Sequence, residues 1–183
     1  MNIFSLRFRL IAYRRFLMLV PLSIGSAVAI FSPTDVFQYS WVRVIVNIMA
    51  TTVPMIDRLN AQFELTQVAQ LYFSIMWLLA PIIYYLFDFG DRDKQLSEIQ
   101  AHKSPFWLRF ALVLALFPFA VWIIFFVGLN PFASGGQEYF ILHSRLGMAI
   151  YGGIIVFGFA AWVKLLISWI GCFLEIYFQG REK

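Results

Sequence analysis

Four long apolar runs, separated by polar connections, dominate the pattern of hydrophobic and polar positions in this chain. Two of them carry no charge, at residues 68–87 and 146–163, and the other two, at 13–31 and 107–127, are charged only near their ends. A helix of about 18–20 residues spans roughly 27–30 Å, which matches the hydrocarbon thickness of a bilayer. The pattern predicts an all-α, polytopic membrane protein with four transmembrane helices at 13–31, 68–87, 107–127 and 146–164.

The first apolar run follows a basic N-terminal stretch. Residues 16–31 are apolar and contain Pro21, and residues 27–29 resemble a cleavage site. A basic start followed by a short apolar core also fits a signal peptide. We interpret the run as a retained membrane helix. Because sixteen residues are short for a span, we expect the helix to begin before Phe16.

A shorter amphipathic helix is predicted at residues 36–51, in the first outward connection. Its polar residues recur every three or four positions and form one stripe: Ser40, Arg43, Asn47 and Thr51. A helix this short cannot cross a bilayer, so we expect it to lie in the outer interface with the stripe toward water. A re-entrant segment is the alternative interpretation. Pro54 is expected to end the helix.

A polar ridge leads from this connection into the second span. Its members repeat every four residues: Arg58, Gln62, Thr66, Gln70 and Ser74. Polar side chains within a span are expected to find hydrogen-bonding partners on a neighbouring helix. The ridge is therefore predicted either to make contacts within the bundle or to recognise a partner protein.

The fourth span has one face of small residues, which include Ala149 and Gly153 at small-xxx-small spacing. Small residues within a span let another helix approach closely. The face is expected either to pack within the protein's own bundle or to dock another membrane protein. Residues 165–178 remain largely apolar and are predicted to continue this helix or to bend along the inner surface.

The charges of the connections predict the orientation. Residues 88–106 form the most hydrophilic connection, which we expect to be a cytoplasmic loop; 128–144 is expected to be a short outward loop. With four spans, the side that holds both termini carries ten basic residues and the other side three, which places both termini in the cytoplasm.

Composition narrows the chemistry. The chain has 183 residues, of which 61% are hydrophobic and 13% charged, so a separate soluble domain does not fit beside four spans. The net charge of +4 is explained by the membrane-flanking loops, and no nucleic-acid-binding patch is predicted. The two histidines, His102 and His143, lie outside the spans, and Cys172 is the single cysteine. We therefore expect no catalytic residue, no metal site and no cofactor.

The layout resembles the four-span immunity proteins that protect bacteria against pore-forming colicins of the A, B and N group. The landmarks are Pro21, residues 33–35 (Pro-Thr-Asp), 53–56 (Val-Pro-Met-Ile), 80–81 (Ala-Pro) and 133–136 (Ala-Ser-Gly-Gly). The resemblance implies a protein of the bacterial inner membrane with cytoplasmic termini. It also implies non-catalytic binding of the toxin's helical hairpin within the membrane.

The expected function is lateral helix–helix binding to another integral membrane protein, within lipid and without catalysis. The partner-binding residues would then come from the ridge and the small face: Arg58, Gln62, Thr66, Gln70, Ser74, Ala149 and Gly153. An accessory subunit of a larger membrane complex is the first alternative. A small transporter or channel component is the second, although the spans lack ionisable groups at their centres.

Overall fold

The computed structural model describes residues 3–59, 65–87 and 136–179, and six single positions: Ser97, Ala111, Leu114, Ala115, Pro118 and Val121. Every secondary-structure element in this part is helical, which confirms the all-α prediction. The elements are α1 (Ile3–Phe31), a 3-10 turn (Val36–Gln38), α2 (Ser40–Thr52), α3 (Pro54–Arg58), α4 (Thr66–Leu86), α5 (Gly136–His143), α6 (Arg145–Gly147), a π-helical turn (Met148–Gly152) and α7 (Gly153–Gln179).

Within the described residues, two stretches are long and apolar enough to cross a membrane. One is α4, and the other is Arg145–Ile176, which runs from α6 through the π-helical turn into α7. The apolar part of α1, Phe16–Phe31, is shorter, although the helix itself begins at Ile3, well before Phe16 as expected. The predicted span at 107–127 and the loop at 88–106 lie outside the described residues except for the six single positions, all of them helical. The layout with four spans stays a prediction.

The relative directions of α1, α4 and α7 follow from their contacts. Along α4, Tyr72 faces Gly152, the ring of Trp77 packs on Phe159, and the Tyr85 carbonyl accepts a hydrogen bond from Lys164, so α4 and α7 run in the same direction. In α1 the order is reversed: Leu22 lies near Gly153, Ser26 contacts Ala149, and Ala29 contacts Arg145. The first helix is therefore antiparallel to the last.

The N-terminal half of α4 lies at the centre of the bundle. It packs against α1, α2 and α7, and its residues from Val68 to Ser74 are all buried. Beyond Trp77 one side of the helix becomes exposed and carries Leu78, Ile82 and Tyr85. The helix thus changes from a core element to a surface element along its length.

The segment predicted as one helix at 36–51 is divided in the structure. A 3-10 turn and an extended residue, Tyr39, precede α2, which begins only at Ser40. Pro54 occupies the first turn of α3, where its missing N–H costs nothing, so the helix ends before the proline as expected. The polar stripe Ser40, Arg43, Asn47 and Thr51 is exposed throughout, which confirms that part of the prediction.

The region expected to be a loop at 128–144 contains a helix, α5, so this prediction is wrong for residues 136–143. The double glycine suggested a turn, but the apolar residues that follow it pack: Ile141 and Leu142 are buried. Ser144 then separates α5 from α6, and its hydroxyl accepts a hydrogen bond from the Gly147 N–H at 3.2 Å. Residues 165–178 continue α7 without a break, which is the first of the two alternatives predicted.

Candidate functional site

The polar ridge begins at the surface and ends in the interior of the bundle. Arg58, at the end of α3, is exposed, and Thr66, at the start of α4, is half-buried. Gln70 and Ser74 are 6% and 0% exposed, which places them within the core. Gln62 lies outside the described residues. The ridge therefore offers a partner its Arg58 end, while its far end faces the protein's own helices.

Two glutamines of α4 tie the connection between α1 and α4 to the bundle. Gln67 Oε1 accepts a hydrogen bond from the Phe37 backbone N–H at 3.1 Å, and Gln70 Nε2 donates to the Ile56 carbonyl at 3.4 Å. The expectation that Gln70 finds a partner on a neighbouring helix is thus confirmed. The role of Gln67 was missed because this residue lies outside the four-residue repeat that defined the ridge.

Among the described residues, two buried polar atoms on the ridge have no hydrogen-bond partner: Gln70 Oε1 and Ser74 Oγ. The hydrogen bond expected between Ser74 and a neighbouring helix is therefore not made within this part of the chain. Leaving such an atom unpaired in the interior costs about 1–3 kcal/mol. Since Gln70 and Ser74 are four residues apart, both atoms lie on one side of α4.

The small face of the last helix is covered by the protein itself. Ala149 and Gly153 are buried between α1 and α4. A Cβ added to Gly153 would lie 3.0 Å from Leu22 Cδ2, and one added to Gly152 would lie 2.7 Å from Tyr72 Cε1. On α1, a Cβ on Gly25 would lie 2.5 Å from Met76 Sδ. These glycines let the three helices close around Tyr72 and Met76, which is the first of the two predicted roles.

A π-helical turn lies within this packed region, at Met148–Gly152. Such turns widen a helix and alter its regular hydrogen bonds. Here the Ala149 carbonyl accepts a hydrogen bond from Ser26 Oγ of α1 at 3.2 Å. Gly152 within the turn and the flanking Gly147 and Gly153 are its main sign in the sequence.

Two cations of the last helix cap the C-terminal ends of its neighbours. Arg145 Nη1 donates to the carbonyls of Ala29 at 3.2 Å, of Ile30 at 3.1 Å, and of Ser32, at the end of α1. Lys164 Nζ donates to the Tyr85 carbonyl at 3.3 Å, at the end of α4, and lies 5.3 Å from the Tyr84 ring centroid. Each cation meets the negative end of a helix dipole, where positive charge is stabilising.

One glycine of α7 is not packed. Gly158 is exposed, and a Cβ built on it would meet nothing within 4 Å. It continues an exposed apolar stripe along the last helix, which consists of Leu146, Ile150 and Ile154. The helix backbone is therefore open to an approaching surface at Gly158, unlike at Gly152 and Gly153.

The described part of the chain contains few side chains typical of catalytic or metal sites. No group of three or more His, Cys, Asp or Glu side chains within it converges on a metal-binding geometry. The His143 ring stacks on Tyr139 with centroids 4.1 Å apart, and its Nδ1 lies 3.1 Å from the Tyr139 carbonyl. Cys172 is buried.

Comparison with known proteins adds no relative: no family model, curated protein or solved structure matches this chain.

Proposed function

We propose that this chain is a multi-pass protein of the bacterial inner membrane that acts by binding another membrane protein laterally, without catalysis. The observation that carries the proposal is the distribution of polarity in the bundle. The outward faces of α1, α4 and α7 carry large apolar side chains, while the polar side chains of Gln70 and Ser74 lie inside. The resemblance to colicin immunity proteins makes an immunity or exclusion role the first specific form of this proposal.

Large apolar side chains cover the outward faces of all three long helices. The most exposed on α1, α4 and α7 are Phe31 at 81%, Tyr85 at 74% and Phe178 at 59%. In water, so many exposed apolar groups would drive aggregation, whereas lipid accepts them. Gln70 and Ser74, by contrast, are buried. This arrangement supports placement in a bilayer.

The two capping cations support the position of the boundaries. Arg145 and Lys164 are nineteen residues apart, and no charged residue lies between them. At 1.5 Å per residue they are separated by about 28 Å, close to the thickness of the hydrocarbon region. Each cation also reaches main-chain carbonyls at a helix end, which compensates for its partial removal from water.

The helix directions support a layout with four spans. Because α4 and α7 run in the same direction, the chain leaves α4 at one end of the bundle and enters the last helix at the other. A return across this distance is therefore needed between α4 and the last helix. The apolar run at 107–127 is long enough for the return. The N-terminal end of α1 lies at the Lys164 end, so an even number of crossings brings both termini to one side, and the basic flanks favour the cytoplasm.

The exposed stripe of α7 is the best candidate for lateral binding. Acyl chains do not need a glycine, but a neighbouring helix gains close backbone contact at Gly158. The partner-binding residues predicted at Ala149 and Gly153 then act indirectly, by holding the bundle that presents Ile154 and Gly158. Arg58 stays a candidate at the outer end.

Photo-crosslinking in native membranes tests this proposal. A photoreactive phenylalanine analogue at Ile154, beside Gly158, is expected to yield an adduct with another membrane protein. The matched control is the same analogue at Leu78, an exposed position of α4. Adducts with lipid alone from Ile154 would overturn lateral protein binding and leave only the membrane location.

An accessory subunit of a larger complex is the alternative within the same class. It predicts that a stoichiometric set of companion subunits co-purifies from unchallenged cells, whereas an immunity protein purifies alone until its toxin is present. A channel component predicts solute flux in reconstituted vesicles. The absence of charged residues between Arg145 and Lys164 disfavours a proton pathway along this helix.

A further inference from the structure

We propose that α2 is seated in the outer lipid–water boundary, with a defined rotation about its axis. One side packs on the bundle, one faces water, and one is inserted among lipids. The inference rests on the membrane location in the proposed function and adds a lipid-binding surface.

Three separate sectors surround α2. At about 100° per residue, the buried side chains Val42, Val46 and Met49 share one side of the helix. The polar stripe forms a second sector that is exposed. The third sector consists of Trp41, Val44 and Ile48, which are apolar and 56%, 56% and 60% exposed. A helix at the surface of a water-soluble bundle needs only the first two sectors.

The flanks of α2 fix its level relative to α4. The residue Phe37, just before it, is hydrogen-bonded to Gln67, and Ile56, just after it, to Gln70. These glutamines are three residues apart, a rise of about 4.5 Å, so both ends of α2 are tied to the first turns of α4. A re-entrant segment would reverse its direction deep in the bilayer. In this segment α2 ends at the extended residue Val53, three residues before the tie at Ile56, which favours the interface.

Backbone hydrogen bonding differs between the two ends of α2. No side chain caps its N-terminus, so the first N–H groups require water, and Tyr39 and Trp41 are exposed there. Aromatic side chains of this type are enriched at membrane interfaces. At the other end, the hydroxyls of Thr51 and Thr52 both donate to the Ile48 carbonyl, at 2.7 and 3.0 Å. Their polarity is thereby partly used within the helix, which suits an apolar boundary.

The size of the third sector favours lipid over a protein as its occupant. Its three side chains expose on the order of 300 Å², whereas a stable protein interface buries roughly 800 Å² on each partner. Insertion of a few apolar side chains beside a water-facing stripe is the usual mode of interfacial helices.

Spin labels at four exposed positions test the proposal. Single cysteines replace Val44, Ile48, Arg43 and Asn47 in a Cys172→Ala background, and the protein is reconstituted in vesicles of phosphatidylcholine and phosphatidylglycerol at about 3:1. Collision rates are measured with oxygen, which concentrates in lipid, and with a water-soluble nickel chelate. Oxygen is expected to dominate by several-fold at 44 and 48, and nickel at 43 and 47.

Two reference labels separate the possible failures. Labels at Leu78 and Ile154 report whether the bundle itself lies in the bilayer. If these are oxygen-rich but 44 and 48 match 43 and 47, α2 faces water and this inference is overturned, while the proposed function stands. Shielding of 44 and 48 from both reagents would mean that protein covers them, and it too would overturn the inference. Nickel-rich references would instead remove the membrane location itself. All four labelled side chains are exposed, so none of these cysteines disrupts the core.

Discussion

Gly152 and Gly158 belong to one continuous helix, six residues apart, and have opposite surroundings. At Gly152 the Tyr72 ring leaves no room for a side chain, while a Cβ added at Gly158 would meet none of the described neighbours within 4 Å. Around the first glycine the last helix is held by α1, α4 and the Arg145 cap. The second lies on its outward stripe. The same residue type therefore lets the helices pack closely at one position and leaves the backbone exposed at the other. Only the neighbouring helices distinguish the two positions.

The largest effect on stability is expected when a large side chain replaces the packed glycine. Gly152→Leu should lower the free energy of unfolding by about 3 kcal/mol, because the new side chain displaces Tyr72. The matched variant Gly158→Leu should change it by less than about 1 kcal/mol. Thermal unfolding in detergent measures both. Equal losses would show that the two glycines have equivalent surroundings.

Removal of the cap at the packed end should come next. Arg145→Met deletes three hydrogen bonds to carbonyls at the end of α1, and we expect a loss of about 2 kcal/mol. Arg145→Lys keeps the charge with fewer directed donors, so its stability should lie between those of the unmodified protein and Arg145→Met. The same unfolding assay applies. If Arg145→Lys lost as much stability as Arg145→Met, the directed N–H donors of the guanidinium, and not its charge, would supply the stabilisation.

A smaller effect is expected at the opposite cap. Lys164→Met removes one 3.3 Å hydrogen bond and a contact with the Tyr84 ring, and should cost about 1 kcal/mol. Because α4 is exposed on one side near Tyr85, solvent or lipid headgroups can replace the ammonium group. If Lys164→Met proved more costly than Arg145→Met, the packed end would not be the more stable one.

The smallest effect concerns the π-helical turn. Ser26→Ala removes the hydrogen bond to the Ala149 carbonyl and should cost about 0.5–1 kcal/mol. Ser23→Ala is the matched control, since the Ser23 hydroxyl bonds only to Leu19 of its own helix, at 2.8 Å. Hydrogen exchange at residues 148–152 should increase in the first variant alone. An unchanged exchange rate would show that the hydrogen bond from Ser26 does not stabilise the turn.

The sequence predicted which segments are helical, but not which helices pack against one another. The apolar runs predicted α1, α4 and the last helix because uninterrupted hydrophobicity over these lengths has few other structures. The stripe of α2 was predicted because polar spacing depends only on helix periodicity. In contrast, the α5 helix was missed, because two glycines and a short length are equally typical of a loop.

The candidate site shows the same limit. Glycine spacing predicted close packing on the last helix, but the choice between Gly153 and Gly158 as an open position depends on where Tyr72 and Leu22 lie. Ser74 was expected to have a partner because lone hydroxyls in spans usually do. Whether a neighbouring helix has a hydrogen-bond acceptor level with Ser74 depends on how the two helices are shifted along their axes. No local sequence pattern encodes this shift.

The Arg145 cap joins residues that are 116 positions apart in the chain. During synthesis, the carbonyls at the end of α1 are made long before the guanidinium that satisfies them. A nascent chain that stops at residue 144 contains the whole first helix but not its cap. Contacts of such long sequence separation form late. We therefore expect the carbonyls at the end of the first helix to bind water, lipid headgroups or the insertion machinery until the last helix has left the ribosome.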